Sequence, residues 1–286
     1  MKKTLVFMFA LMVSGCLTNN LKAQADDSDT PMNSIMASQR QTISNKRLAP
    51  QPMIQEANVM WKKTIIRQID FRQKLNQVFY FPQKPTEDWK NLVTVLYEGI
   101  QNGDITPYKV KDDDLDNMTD PLTVEEFEKE GKKTGESIWN DSLKDYVSEV
   151  TVFKDRMPNV TRLKVKEDWY FDKNLSQLLV RIIAIAPVIV EESNGELSES
   201  QPCWIPYDEQ TRSVLAKAFV FNRNNGASRL TYDEIFQKRI FDSYIIKEEN
   251  VYDRYISEYA DGVDVLLESD RIKQSIMDFE QSLWQY

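Results

Sequence analysis

Leu178-Leu179-Val180-Arg181-Ile182-Ile183-Ala184-Ile185-Ala186-Pro187-Val188-Ile189-Val190 is the segment that most constrains the fold. A run so nearly continuous in apolar and β-branched residues reads as a central strand buried on both faces. Pro187 cannot donate to a ladder and is expected at a bulge or at the strand's end. Upstream, Thr161-Arg162-Leu163-Lys164-Val165-Lys166 alternates apolar and polar, which predicts a half-buried strand continuing through Trp169-Tyr170-Phe171. Asn194-Gly195 is a turn signal. Ile105 to Val110 and Cys203-Trp204-Ile205 suit short strands.

Helical patterns flank this strand-rich centre. Trp61, Ile65, Ile66, Ile69 and Phe71, interleaved with Lys62, Lys63, Arg67 and Arg72, predict an amphipathic helix, then an extended stretch through Val78-Phe79-Tyr80-Phe81-Pro82. Thr86 is expected to cap a second helix, with Glu87 and Asp88 at its positive end. Trp89, Leu92, Val93, Leu96 and Ile100 form its stripe, and Gly103 lies beyond it. Thr123-Val124-Glu125-Glu126 and Thr231-Tyr232-Asp233-Glu234 read as capping boxes, the second leading a helix through Ile235, Phe236, Ile240, Phe241, Tyr244 and Ile245. A last helix is predicted from Val263 to Trp284, with Leu266, Leu267, Ile272, Ile276, Phe279 and Leu283 as its core-facing residues. Helices, then strands, then helices, with no internal repeat, give an α+β fold: a strand-rich centre flanked by N-terminal and C-terminal helices.

Met1-Lys2-Lys3 followed by Leu5 to Val13 has the basic and apolar regions of a secretory signal. Two processing sites compete. Ala23-Gln24-Ala25 suits ordinary signal peptidase and is favoured. Val13-Ser14-Gly15-Cys16 resembles a lipobox, which would lipidate Cys16 and tether the chain to a membrane. The expected organisation is therefore a signal peptide at 1–25, a polar and flexible arm at 26–58, and one α+β domain at 59–286. No segment reaches the ~20 apolar residues of a spanning helix. Loss of Lys2, Lys3 and Lys22 takes the net charge from −9 to −12, a surface that repels nucleic-acid phosphates. Cys203 then stands alone and reads as a buried small hydrophobe.

The chain contains no histidine and only eight glycines. Histidine-based triads and Cys/His pairs are excluded, and no dinucleotide or phosphate-loop fingerprint is present. Cys16 and Cys203 match no ordinary zinc ligand set, so no metal and no cofactor is expected. Asp112-Asp113-Asp114-Leu115-Asp116-Asn117 is acidic, but neither register fits an EF-hand, and a solvated loop is expected. The remaining enzyme class is a carboxylate-dependent glycoside hydrolase using Glu167 and Asp168 beside Trp169 and Tyr170. Neighbours on a strand point to opposite faces, which argues against an opposed pair. Arg239, Tyr244, Tyr252, Arg254, Tyr255 and Tyr259 combine the residue types that anchor protein interfaces, and the first five are the candidate contact residues.

Several stretches resemble the gliding-motility family GldN, also called PorN, of the Bacteroidetes type IX secretion system. They are Trp61 through Ile69-Asp70-Phe71-Arg72-Gln73-Lys74-Leu75-Asn76 with Tyr80-Phe81-Pro82, Gly103-Asp104-Ile105-Thr106-Pro107-Tyr108, and Val165-Lys166-Glu167-Asp168-Trp169-Tyr170-Phe171-Asp172-Lys173. Arg181-Ile182-Ile183-Ala184-Ile185-Ala186-Pro187, Asp233-Glu234-Ile235-Phe236-Gln237-Lys238-Arg239 and Val251-Tyr252-Asp253-Arg254 continue the match in collinear order. The resemblance implies a non-enzymatic periplasmic subunit that forms a ring with an outer-membrane lipoprotein of the GldK or PorK type. It also implies contact with the periplasmic part of a GldM or PorM motor protein, self-association within the ring, no direct membrane span, and no nucleic-acid partner.

Overall fold

The computed structural model describes residues 48–286 apart from 87–88, 112–117, 141–144, 194–195, 222–229 and 284–286. The leader, Cys16 and most of the polar arm therefore lie outside the described residues. So do the acidic run 112–116, Glu87, Asp88, Trp284 and the Asn194-Gly195 pair.

The architecture is α+β. Strands β1 (Val59–Asp70), β4 (Val160–Asp172), β5 (Gln177–Ser193) and β10 (Tyr244–Glu248) form an antiparallel sheet in the order β10-β1-β4-β5. The outer flank of β5 is shared by two short partners, β7 (Ile205–Pro206) at Ala184 and Ile185, and β6 (Glu196–Ser200) from Ile189 to Ser193. Pro187 sits inside β5, in the gap between those two partners, where its missing N–H leaves no ladder bond unmade. The expected central strand is thus present and longer than its apolar run. Two small ladders stand apart: β2 (Lys133–Asn140) with β3 (Asp145–Thr151), and β8 (Phe219–Val220) with β9 (Leu230–Thr231).

The first predicted helix is a strand. Trp61, Ile65 and Ile69 recur at a spacing of four, which suits one helical face but is also a multiple of the strand period. The β-branched Thr64, Ile65, Ile66 and Ile69 settle the matter toward β1, which is paired along its whole length with β4. Ile65 and Ile66 are both fully buried because the sheet is covered on both faces there.

Among the described residues the α-helices are α1 (Gln77–Tyr80), α2 (Leu92–Gln101), α3 (Val124–Glu130), α4 (Phe153–Arg156), α5 (Glu209–Lys217), α6 (Tyr232–Gln237) and α7 (Val263–Leu283). The stretch Val78–Pro82, expected to be extended, begins as the turn of α1. Phe81 is extended, ahead of a cis peptide to Pro82. Asn91 rather than Thr86 caps α2, its side chain accepting from Thr94 N at 2.8 Å, while Thr86 closes a local turn with Trp89. Gly103 past the end of α2 has φ +78°, the left-handed conformation that glycine adopts without steric cost. The Thr123–Glu126 capping box is complete. In place of a strand over Ile105–Val110, Tyr108 alone bridges Trp204 and Pro121.

The helix expected through Ile245 stops at Gln237. Arg239 takes φ +54°, which no right-handed helix tolerates, and the chain returns as edge strand β10. Asn76, fully buried, fixes the turn: its Oδ1 accepts from Asp242 N at 2.9 Å, and its Nδ2 donates to the Asp242 carbonyl at 2.8 Å. The outer edge of β10 is closed by α7, whose buried Ser269 accepts from Ile245 N at 2.7 Å.

Apolar residues divide into three clusters. On one sheet face, Ile69, Leu163, Val165, Ile182, Ile185 and Ile189 meet α1, α2, α3, α5 and α6 through Phe79, Leu96, Phe127, Leu215 and Phe236. Farther along that face, Ile65 and Ile245 pack on Ile272 and Ile276 of α7. The other face carries Ile66, Ala184 and Ala186 against Trp204 and is covered by connecting segments rather than helices. Cys203 is buried, as expected, and burial pushes its thiol pKa up.

Candidate interaction surface

The six aromatic and basic residues singled out in the sequence fall into three places. Arg239 belongs to the helix-covered face. Its left-handed backbone turns the side chain toward the buried Glu167, with Nη2 2.9 Å from one carboxylate oxygen and donating to the other at 3.1 Å. Trp169 Nε1 donates to the same carboxylate at 3.0 Å, and the guanidinium also lies over the rings of Trp169 and Phe241. Arg67, nearly buried on the same face, donates to the side chain and carbonyl of Ser243. Burial pushes its pKa down, while the charge of Glu167 pulls it back up. Glu167 thus links a buried arginine, Arg67, and a part-exposed one, Arg239, at the centre of the sheet.

Tyr244 and Tyr255 pack on the opposite face with Ile66, Ile246 and Trp204. Tyr244 pairs with Gln68 across the ladder, and burial raises its hydroxyl pKa. The ring of Tyr255 lies under two ammonium groups, Lys247 at 5.0 Å and Lys164 at 5.2 Å. Lys247, buried in β10, is also 2.8 Å from Asp253.

The third group faces outward. Arg254 lies between two tyrosine rings, 4.5 Å from the centroid of Tyr259 and 4.9 Å from that of Tyr252. Tyr252 is 77% exposed and its neighbour Val251 is 98% exposed. Stacking pre-orders the guanidinium without removing it from water, so little rotamer entropy remains to be lost on contact with a partner. Beside it, a cleft of about 580 Å³ is lined by Trp61, Lys62, Lys63, Val251 and Phe279. Tyr252 and Arg254 are therefore brought together on the surface, whereas Arg239, Tyr244 and Tyr255 are engaged in packing.

Two exposed apolar features had no sequence signal that separated them from core. Leu75, Phe81, Phe221 and Ile240 line an open groove of about 830 Å³, and Phe221 is 53% exposed. On α7, Leu266 and Leu267 were expected in the core with Ile272 and Ile276. They are instead exposed, with Val263, on the side away from the docked stripe. The docked positions Ser269, Ile272 and Ile276 repeat at three and four residues, and at about 100° per residue Leu266 lies roughly 90° and Leu267 roughly 170° around the helix from the centre of that stripe. Hydrophobicity alone could not show which stripe meets the sheet.

Glu167 and Asp168 point to opposite faces of β4. Glu167 is sealed under Arg239 and Trp169, while Asp168 accepts from Thr64 Oγ1 at 2.9 Å and pairs with Lys62 at 2.9 Å. A second buried polar knot joins Tyr207, Arg212 and Asp233. The Tyr207 hydroxyl donates to Asp233 at 2.6 Å, and Arg212 donates to Asp233 at 3.0 Å and to the Ala49 carbonyl at 2.7 Å. Among the described residues, no three Cys, Asp or Glu side chains are grouped to hold a metal ion. No helix among them is long and apolar enough to cross a membrane.

No curated protein matches the sequence. The family model described as gliding motility associated protein GldN matches residues 54–285, which include every described strand and helix and the Tyr252–Arg254–Tyr259 stack. By that match over most of its length, the chain belongs to the GldN family of gliding motility associated proteins.

Proposed function

We propose that this chain is a non-enzymatic structural subunit of the gliding-motility and type IX protein secretion machinery. In this reading the leader at 1–25 sends it to the periplasm. An outer-membrane lipoprotein of the GldK or PorK type holds it there without a membrane span of its own. Copies self-associate in a ring-like complex that contacts the periplasmic part of a GldM or PorM type motor. The observation that carries the reading is the family match across residues 54–285, nearly the whole chain after the leader.

Among the candidate contact residues, Tyr252 and Arg254 are the anchors in this proposal. Their exposed stack presents the aromatic and guanidinium groups that protein interfaces use. Arg239, Tyr244 and Tyr255 hold the strands and turn that position it. Affinity purification of the tagged chain from the native envelope tests the reading. Co-purification with the lipoprotein and the motor protein is expected. Their absence, together with turnover of glycan substrates, would favour a hydrolase.

A further inference from the structure

We infer that the exposed ridge of α7 in one copy of this chain seats in the apolar groove between α1, β8 and α6 of another. Val263, Leu266 and Leu267 stand at i, i+3 and i+4 on one side of the helix and are 71%, 50% and 61% exposed. That is the anchor spacing by which an amphipathic helix enters a hydrophobic groove. The groove, with Leu75, Phe81, Phe221 and Ile240 at its surface, has a volume of about 830 Å³, which suits such a face. The ridge cannot reach the groove of its own molecule. Ser269, Ile272 and Ile276 pin the other side of α7 to the sheet, so the ridge faces outward.

Charge selects a second copy as the occupant. Two molecules that each carry a net charge of −9, or −12 once Lys2, Lys3 and Lys22 are lost with the leader, repel unless the contact joins opposite local signs. Lys74 lines the groove, and Arg72 is exposed in the same turn. On the ridge, Asp264 and Asp270 are both exposed beside the apolar triad. The two surfaces differ, so the contact is heterologous: the copy that gives its ridge keeps a free groove, and the copy that gives its groove keeps a free ridge, each for a further neighbour. It deepens the self-association proposed above and rests on that reading for its place in a ring.

Two forms of the mature chain, each with one added surface cysteine, Leu75→Cys and Leu267→Cys, test the contact under mild oxidation. Both positions are exposed, so the fold is retained, and the buried Cys203 stays silent. The expected result is a disulfide between the two different proteins in excess of either homodimer. Lys74→Glu in the first protein should lower its yield about tenfold, and Asp270→Lys in the second should restore it. No cross-link above that of the urea-denatured mixture, a dominant Leu267→Cys homodimer, or indifference to the charge reversals would overturn the inference. Co-purification with the lipoprotein alongside a failed cross-link overturns this contact alone. A cross-link without co-purification keeps the contact and overturns the assembly reading.

Discussion

Glu167 and Arg239, 72 positions apart in sequence, form a 2.9 Å ion pair in which the carboxylate is fully buried and the guanidinium is one-third exposed. That inequality sets the order of two substitutions. Arg239→Ala strands a charged carboxylate under the helix layer and is expected to cost about 3 kcal/mol. Glu167→Gln leaves Arg239 able to reach water and keeps an acceptor for Trp169, so it should cost about 1–2 kcal/mol. Urea midpoints of the two variants check the order, and a larger loss for Glu167→Gln would refute it.

Stability should respond to alkali but not to the neutral range. Without histidine, no side chain of ordinary pKa titrates between about pH 6 and 8. Tyr207 and Tyr232 have pKa values raised above the ordinary tyrosine value, both mainly by burial and Tyr207 also by its bond to Asp233. A raised pKa means the neutral form is favoured by folding. The resulting stability is fully present below the unfolded value of about 10 and is lost as pH rises beyond it. Urea unfolding should therefore give equal midpoints at pH 6 and 8 and a falling midpoint above about pH 10. Tyr207→Phe should be less stable throughout, with a shallower alkaline decline.

Arg212 ties the start of the described chain to the fold through Ala49 and neutralises the buried Asp233. Arg212→Met removes both functions. The expected outcome is a loss of about 3 kcal/mol and earlier proteolytic cleavage before residue 54. Limited proteolysis with mass identification of the fragments reads both at once, and an unchanged first cleavage site would contradict the tie.

Two glycines should answer differently to alanine. At Gly131 an added Cβ would lie 2.7 Å from Phe153 Cβ, a rigid neighbour, and a cost of about 2–3 kcal/mol is expected. At Gly99 the closest atom is Ile105 Cδ1 at 2.6 Å, the end of a side chain that can rotate away. Helix propensity offers about 1 kcal/mol in return there, so Gly99→Ala should be near neutral. Thermal melts of the pair decide the matter.

How legible the molecule is from its sequence follows from what each signal encodes. The run around Ile185, the alternation from Thr161 to Lys166 and the Thr123 capping box are local patterns, and each appears where expected. The apolar spacings of β1 and β10 fit both periods, so the sequence by itself predicts helix at each. The deciding facts, cross-strand pairing with β4 and the left-handed turn at Arg239, are set by tertiary context. The surface is harder still. Tyr252 and Arg254 could be picked out by residue type, but Tyr244 and Tyr255 share that type and are packed. Leu267 and Phe221 look like core in any composition, and only their exposure marks them otherwise.

Cross-linking mass spectrometry on the native envelope complex tests the assembly reading most directly. The account predicts cross-links from Lys62 and Lys63, beside the Tyr252–Arg254 stack, to an outer-membrane lipoprotein or to the motor protein, and their loss in Arg254→Glu. A chain that yields only intramolecular cross-links, with Arg254→Glu indistinguishable from the parent, would contradict it.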